Sequence, residues 1–500
     1  MKDRVLPPHE WIVLTLPCLL ACGCSSAARP AGDVPDAAGV ADGGSEGPAG
    51  DDAGSTAFLD AAPPQSGMLQ AGDSLSVRQV TSDGFVVYSD DAAGELYAVP
   101  LAGGNAQHIA SLGSTFWITG QGPVVFVWSG VNATNVGALS VWSSAKGGHS
   151  VSSASLSLVA TASADGSQVL YLDHVDPAGQ TGDVYVAASD GTGAAKLLGS
   201  QQLTGCAPQL GFAGSYAIAS HCDVPRGPGP SSTISSFCSP AWTRSDLATE
   251  AANIWSADSA ASVVLLSTGS GVQVAPIGGG PLAMIDTSGF LGQLMDGGKT
   301  AIYSTTSHAL RRSPITAPSP MTLVPTFGGF YGLSPDETSV LFFEDFGPTG
   351  AGVYLAPAVA PSTPVALWTA QTGGVNGDSF TADSNYALYS TGIDPQSQAG
   401  TLNAVPVAGG TPRLLGASAW SDLSATGAKV VFVDHYVATG GLRFGRGDIE
   451  SVDLSTGTEP TTIVSGADAV MALSPAGDFI VYSWSAQAGP NAGIFVTRVP

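Results

Sequence analysis

The feature that most constrains this chain is a unit stamped out about ten times. "LSPDETSVLFFED" (333–345) is a tight turn followed by an apolar strand. The same order returns as "TSDGFVVYSDD" (81–91), "SADGSQVLYLDH" (163–174), "TADSNYALYSTG" (381–392), "SATGAKVVFVDH" (424–435) and "SPAGDFIVYSWS" (474–485). Looser copies place further strand starts at Val124, Ser215, Ser262 and Thr300, beside Phe85, Gln168, Ser339, Asn385, Lys429 and Phe479. These starts lie about 44 residues apart on average, the spacing of a repeat that contributes several strands at a time.

Each unit has one internal grammar. A short strand enters an S-x-D-G-like turn, where Asp and Gly favour a tight reversal. A second strand, apolar on both faces, follows, as expected where neighbouring sheets sandwich it. A variable acidic loop leads to a third strand, such as "GELYAVPL" or "GDVYVAAS". A Gly-rich turn (102–104, 408–410) then leads to a short fourth strand. The predicted fold is all-β: a β-propeller of about ten four-stranded repeats over residues 71–500. A single large ring is favoured because no linker interrupts the repeats, with two smaller propellers as the alternative. The last unit stops after its third strand, "GIFVTRV", so a strand within about residues 64–80 is expected to complete it.

The S-P-D-G turn, the hydrophobic strand ending in Y-x-S-D and the following G-x-x-I-Y strand resemble the TolB-type propeller repeat. That repeat also occurs in the propeller of the prolyl oligopeptidase family. The resemblance implies a fold and little about activity, since propellers host enzymes, scaffolds and receptors alike. TolB carries a small α/β domain before its propeller, and here a low-complexity stretch takes that place. No prolyl oligopeptidase hydrolase domain is recognisable, and neither set of partners is carried over.

The chain opens with "MKDRVLPPHEWIVLTLPCLLACGCSS". Trp11 to Ala21 is apolar but far short of the roughly 20 residues that span a bilayer, which fits the apolar part of an export signal. Leu19-Leu20-Ala21-Cys22 resembles a bacterial lipobox. That resemblance implies a signal peptide over 1–21, removed by cleavage, and a lipidated Cys22. Residues 22–70 then read as a disordered acidic tether rich in Ala, Gly, Pro and Asp, with too few large apolar residues to bury. The expected location is the bacterial cell envelope, with acyl chains holding the protein to a membrane, most naturally the outer membrane facing the periplasm or the cell surface.

The net charge of −24, with 16 basic against 40 acidic residues, argues against a nucleic-acid partner. Familiar catalytic patterns fail on context. Gly43-Gly44-Ser45-Glu46-Gly47 matches a nucleophile elbow but sits in the tether, without the strand and helix that motif needs. "GGKT" (297–300) precedes a strand rather than a helix, and Gln293 stands where the first Gly of a phosphate loop belongs. Arg446-Gly447-Asp448 resembles an adhesion tripeptide in an expected hairpin loop. No His/Cys pair has zinc spacing, so no metal ligands and no catalytic residues are assigned.

What remains is a candidate ligand rim. Asp90, Asp91, Asp173, His174, Glu344, Asp345, Asp434 and His435 end second strands, on the face where first strands begin. Trp117, Tyr331 and Trp420 lie near those beginnings. Such a rim would suit a cationic, glycan or peptide ligand, or Ca2+ among clustered carboxylates, if any cofactor is used. The bland alternative is that the acids cap loops and the aromatics pack between repeats. Cys206, Cys222 and Cys238 fall in one repeat, and export makes a disulfide expected. Cys206–Cys222 is favoured and Cys222–Cys238 is the alternative. The expected function is a non-enzymatic binding or scaffold module for an envelope protein, peptide or glycan. The competing reading is a propeller hydrolase or lyase using rim acids and a His.

Overall fold

The computed structural model describes residues 67–500 apart from 114, 177, 179–180, 203–208, 223–231, 259–261, 327–330, 345–350, 360–361, 371–373, 395, 439–444 and 485–491. Described strands form eight four-stranded antiparallel sheets and one seven-stranded sheet. The latter is two blades joined by one 16-residue strand, Thr243–Asp258, which is the outer strand of one blade and the inner strand of the next. The result is a single ring of ten blades, numbered here from the blade whose inner strand is Leu75–Val80.

The core follows from the apolar second strands. Val124–Ser129 is buried throughout except at its last residue, and Thr300–Thr305 is buried throughout. One face of each such strand packs on the preceding blade and the other on the following blade. The buried side chains therefore divide into ten packets, one at each seam between blades. The packet joining blades 10 and 1, with Val77, Val86, Val481 and Ile494, closes the circle. Two separate propellers are thereby ruled out.

Blade 10 is composite. Its inner three strands come from the C-terminal end of the chain, and Met68–Ala71 pairs antiparallel with Gly493–Arg498 as the outermost strand. The closing strand thus begins within the segment read as tether up to residue 70. Its backbone groups find partners only by reaching the far end of the chain.

The recurring turn is a hydrogen-bonded device rather than a site. Ser334 Oγ donates to Asp336 Oδ1 at 2.6 Å and accepts from Ser339 N–H at 3.0 Å. Thr81, Ser163 and Thr381 repeat both bonds in their own blades. Asp336 Oδ1 also accepts from Thr338 N–H, and Asp383 Oδ1 from Asn385 N–H. Burial pushes the Asp336 and Asp383 carboxyls up, but these donors outweigh it and hold both below the ordinary carboxylate range. For Asp165 the Ser163 hydroxyl is the leading cause of the same lowering.

Carboxyls with lowered folded-state values contribute stability that is fully present above the unfolded value, about pH 4. That contribution is lost as pH falls through the lowered values. Urea midpoints are therefore expected to hold steady down to about pH 4 as far as these turns are concerned, then to fall. Asp336→Asn combined with Asp383→Asn is expected to flatten that acid limb. An unchanged acid limb in the double variant would remove the turns as its cause.

Candidate functional site

In every blade the end of the second strand and the start of the third lie on the same face of the ring as the start of the inner strand. The described rim residues occupy that face in separate blades. Within each blade, neighbouring strands assemble a small polar cluster.

In blade 1, Asp90 accepts from Ser74 Oγ (2.6 Å) and Ala93 N–H (3.1 Å). The Ser74 bond leads in holding its carboxyl below the usual range. Exposed Asp91 accepts from Ser76, Ser89 and Arg78, the last at 3.0 Å. Arg78 lies at an irregularity in the inner strand and also faces the Phe116 ring at 5.6 Å.

Blades 3 and 9 share a second arrangement. Asp173 pairs with Asp183 across the second and third strands of blade 3, and Asp434 pairs with Asp448 in blade 9. Asp173 accepts from Ser152 Oγ at 2.6 Å, and Asp434 from Ser418 N–H at 2.8 Å. Each serine belongs to the outer strand of the preceding blade, so each Asp ties two blades together. The following His174 and His435 adopt left-handed backbone, φ 49° and 51°. Their rings turn back over the third strand, and His174 Nδ1 lies 3.4 Å from Asp183 Oδ2. His435 Nδ1 lies 3.2 Å from Asp448 Oδ2. Both imidazoles are exposed.

One neighbour differs. Tyr185 stands beside His174, its Oη 3.4 Å from Nδ1 and its ring edge-on at 5.6 Å. Glu450 takes the corresponding place in blade 9, opposite Phe432 as Tyr185 is opposite Tyr171. Burial and then the Asp434 charge push the Glu450 carboxyl up, while His435 acts the other way.

Two aromatics of the rim, Trp117 and Trp420, are half-buried and pack in seams between blades. Trp117 pairs across strands with Trp128 and packs in the seam between blades 2 and 3. Trp420 stacks on Tyr436 at 5.4 Å in the seam between blades 9 and 10. Tyr331 starts the inner strand of blade 7 and Glu344 ends its second strand. The side chains of both lie outside the described residues, as does Asp345.

Three further expectations meet the structure here. Arg446-Gly447-Asp448 is not in a hairpin loop, because it lies within Gly445–Asp453, a strand paired on both sides. Arg446 faces Asp468, and Asp448 accepts from Gly466 N–H. Cys238 is a free thiol. The hairpin register sets Cys238 opposite Tyr216 and Cys222 opposite Ser232. These pairs sit at opposite ends of the ladder, roughly 20 Å apart, which excludes a Cys222–Cys238 bridge. Cys22, Cys206 and the Cys222 side chain lie outside the described residues.

Sequence reading missed Asp183, Asp448 and Glu450. A signal existed: "GDVY" (182–185) and "GDIE" (447–450) share a Gly-Asp-aliphatic pattern in the two blades that carry Asp-His. At Gly447 a Cβ would press on the Val433 side chain and the Asp434 carbonyl, so glycine permits the close strand approach there.

The opposite face holds a cavity of about 450 Å3 between blades 1, 2 and 3, lined by Asp83, Asp165, Ser144, Lys146, Asp190 and Thr192. Its carboxylates are already engaged: Asp83 by Thr81 and Ser144, Asp165 by Ser163 and Ser167, and Asp190 by Thr192 and Lys146.

No protein-family model matches the chain, and no curated protein matches it. Among solved structures, a eukaryotic initiation factor is similar over 71% of this chain and 90% of its own, at 12% identity and TM-score 0.47. Porphyromonas gingivalis dipeptidyl peptidase 4 is similar over 79% of this chain and 60% of its own, at 8% identity and TM-score 0.47. TolB from Acinetobacter baumannii is similar over 60% and 65%, at 13% identity and TM-score 0.28. Likenesses this distant concern architecture alone and say nothing of activity.

Proposed function

We propose that this chain is a lipid-anchored, TolB-like β-propeller of the bacterial envelope that binds a protein, peptide or glycan and does not turn over a substrate. The observation that carries the reading is the repeated Asp-His pair on one face of the ring. Asp173-His174 and Asp434-His435 take the same place in blades 3 and 9, each imidazole exposed and set beside a third-strand carboxylate. Asp91 is exposed on the same face in blade 1, on a strongly acidic chain. Fixed acids and imidazoles on a rigid scaffold suit recognition of a basic or hydrogen-bonding surface. The lipobox-like Leu19-Leu20-Ala21-Cys22 supports the anchor, and among the described residues no helix is long and apolar enough to cross a membrane.

Two measurements test this. Intact mass of the mature protein is expected to show an acylated N-terminal Cys22, and Cys22→Ala is expected to move the protein from the membrane to the soluble fraction. Wild-type fractionation of the variant, or an unacylated start after Cys24, would remove the anchor. Capture from detergent extracts and on glycan arrays is expected to weaken at least fivefold with His174→Ala plus His435→Ala. Substrate turnover abolished by His174→Ala would replace the binding reading with an enzymatic one.

A further inference from the structure

We propose that Asp434, His435 and Glu450 form a binding site for a divalent transition cation, of the class that accepts mixed imidazole and carboxylate donors. The site goes beyond the binding-module reading; the two share His435, and Glu450→Gln, which that reading does not use, separates them.

Three side chains bring one donor atom each, all within 4.8 Å of one another. Two donors on one ion at about 2.1 Å lie at most about 4.2 Å apart, so small side-chain rotations complete the fit. They come from two adjacent strands of one blade, on the rigid second- and third-strand ladder. Asp434 is only 6% exposed. Ser418 N–H donates to its Oδ1. A largely buried carboxylate is costly unless a positive charge meets it. No lysine or arginine of the described residues is ion-paired with Asp434, Asp448 or Glu450; His435 alone faces them. Asp448 Oδ2, 3.2 Å from His435 Nδ1, supplies the carboxylate–imidazole contact that orients metal-bound histidines.

Blade 3 is the internal control. It carries the same Asp, left-handed His and facing Asp, but Tyr185 replaces Glu450 and takes up His174 instead. The Asp-His-Asp frame is therefore what ties blades together, and Glu450 is the addition that converts it. The imidazole sets the ion class, since Ca2+ takes six to eight oxygen ligands and nitrogen suits Zn2+ and its neighbours.

Calorimetric titration of the full chain with Zn2+ tests the site. Wild type is expected to bind one equivalent that Glu450→Gln and His435→Ala each weaken at least tenfold, while Tyr185→Phe and His174→Ala leave it unchanged. Both weakening variants replace partly or fully exposed side chains, and matching circular-dichroism melts without metal would confirm that they fold. Titration with Ca2+ is expected to show no equivalent site. Absence of stoichiometric Zn2+ binding, binding undiminished by Glu450→Gln, or a preference for Ca2+ would each overturn the proposal.

Discussion

Replacing Gly493 with valine is expected to release the closing strand from blade 10. Gly493 is paired with Ala71 at the seam where the two ends of the chain meet. A Cβ there would fall well inside contact distance of the Gln70 carbonyl, which is backbone and cannot swing aside. The closing strand would lose its ladder bonds, together with Gly72 N–H to the Ala492 carbonyl and Val496 N–H to the Gly67 carbonyl. At about 1 kcal/mol net for each bond, loss of the strand costs roughly 3 kcal/mol. The exposed edge of Gly493–Arg498 then becomes a site for pairing between molecules. Urea unfolding should show the lower midpoint, and limited proteolysis should cut before Leu75 faster than in wild type. A chain beginning at Leu75 should behave like the variant. Wild-type midpoints and cleavage rates for Gly493→Val would mean that the seam contributes little.

The second large effect is expected at Trp142. Its indole is fully buried between blades 1 and 2, edge-on to Phe85 at 5.6 Å, and packed with Val87, Leu96 and Val125. Trp142→Ala should cost about 3–5 kcal/mol, the range for large aromatic truncations in cores. A finer comparison separates packing from polarity. The Trp142 indole N–H has no hydrogen-bond partner, whereas that of Trp128 donates to Ser155 Oγ at 3.3 Å. Trp142→Phe discards an unsatisfied donor, and Trp128→Phe discards a bond and leaves the Ser155 hydroxyl only its long donation to the Leu156 carbonyl. Denaturant midpoints should therefore fall less for Trp142→Phe than for Trp128→Phe. The reverse order would show that cavity volume outweighs the hydrogen bond at this pair of seams.

The repeats made the fold legible because each blade restates the same local physics. Phe85, Val124, Gln168, Thr300, Ser339, Lys429 and Phe479 begin strands as expected from the sequence. Tyr216, Val263 and Tyr386 begin one residue after the expected Ser215, Ser262 and Asn385, because those small polar residues close the turn. The closing strand was legible as an unfilled place in the last unit. The 16-residue strand shared by blades 4 and 5 was not, since nothing local distinguishes an outer strand that continues from one that turns.

Of the rim, the repeated Asp-His pairs were visible. Their partners were not, because the register between second and third strands depends on a loop of variable length. Ten residues separate Asp173 from Asp183 and fourteen separate Asp434 from Asp448, yet the two pairs occupy the same rung. Trp117 and Trp420 could not be placed for a related reason. A large aromatic at an inner-strand start reads equally as a ligand platform or as a wedge between blades, and the packing around it shows the wedge.

Met68–Ala71 is the outermost strand of blade 10, so the described chain enters the disc at its circumference and not at its axis. A load applied at Gly67 would be borne by a strand edge at the perimeter. It would peel one strand from one blade and leave both flat sides of the disc clear.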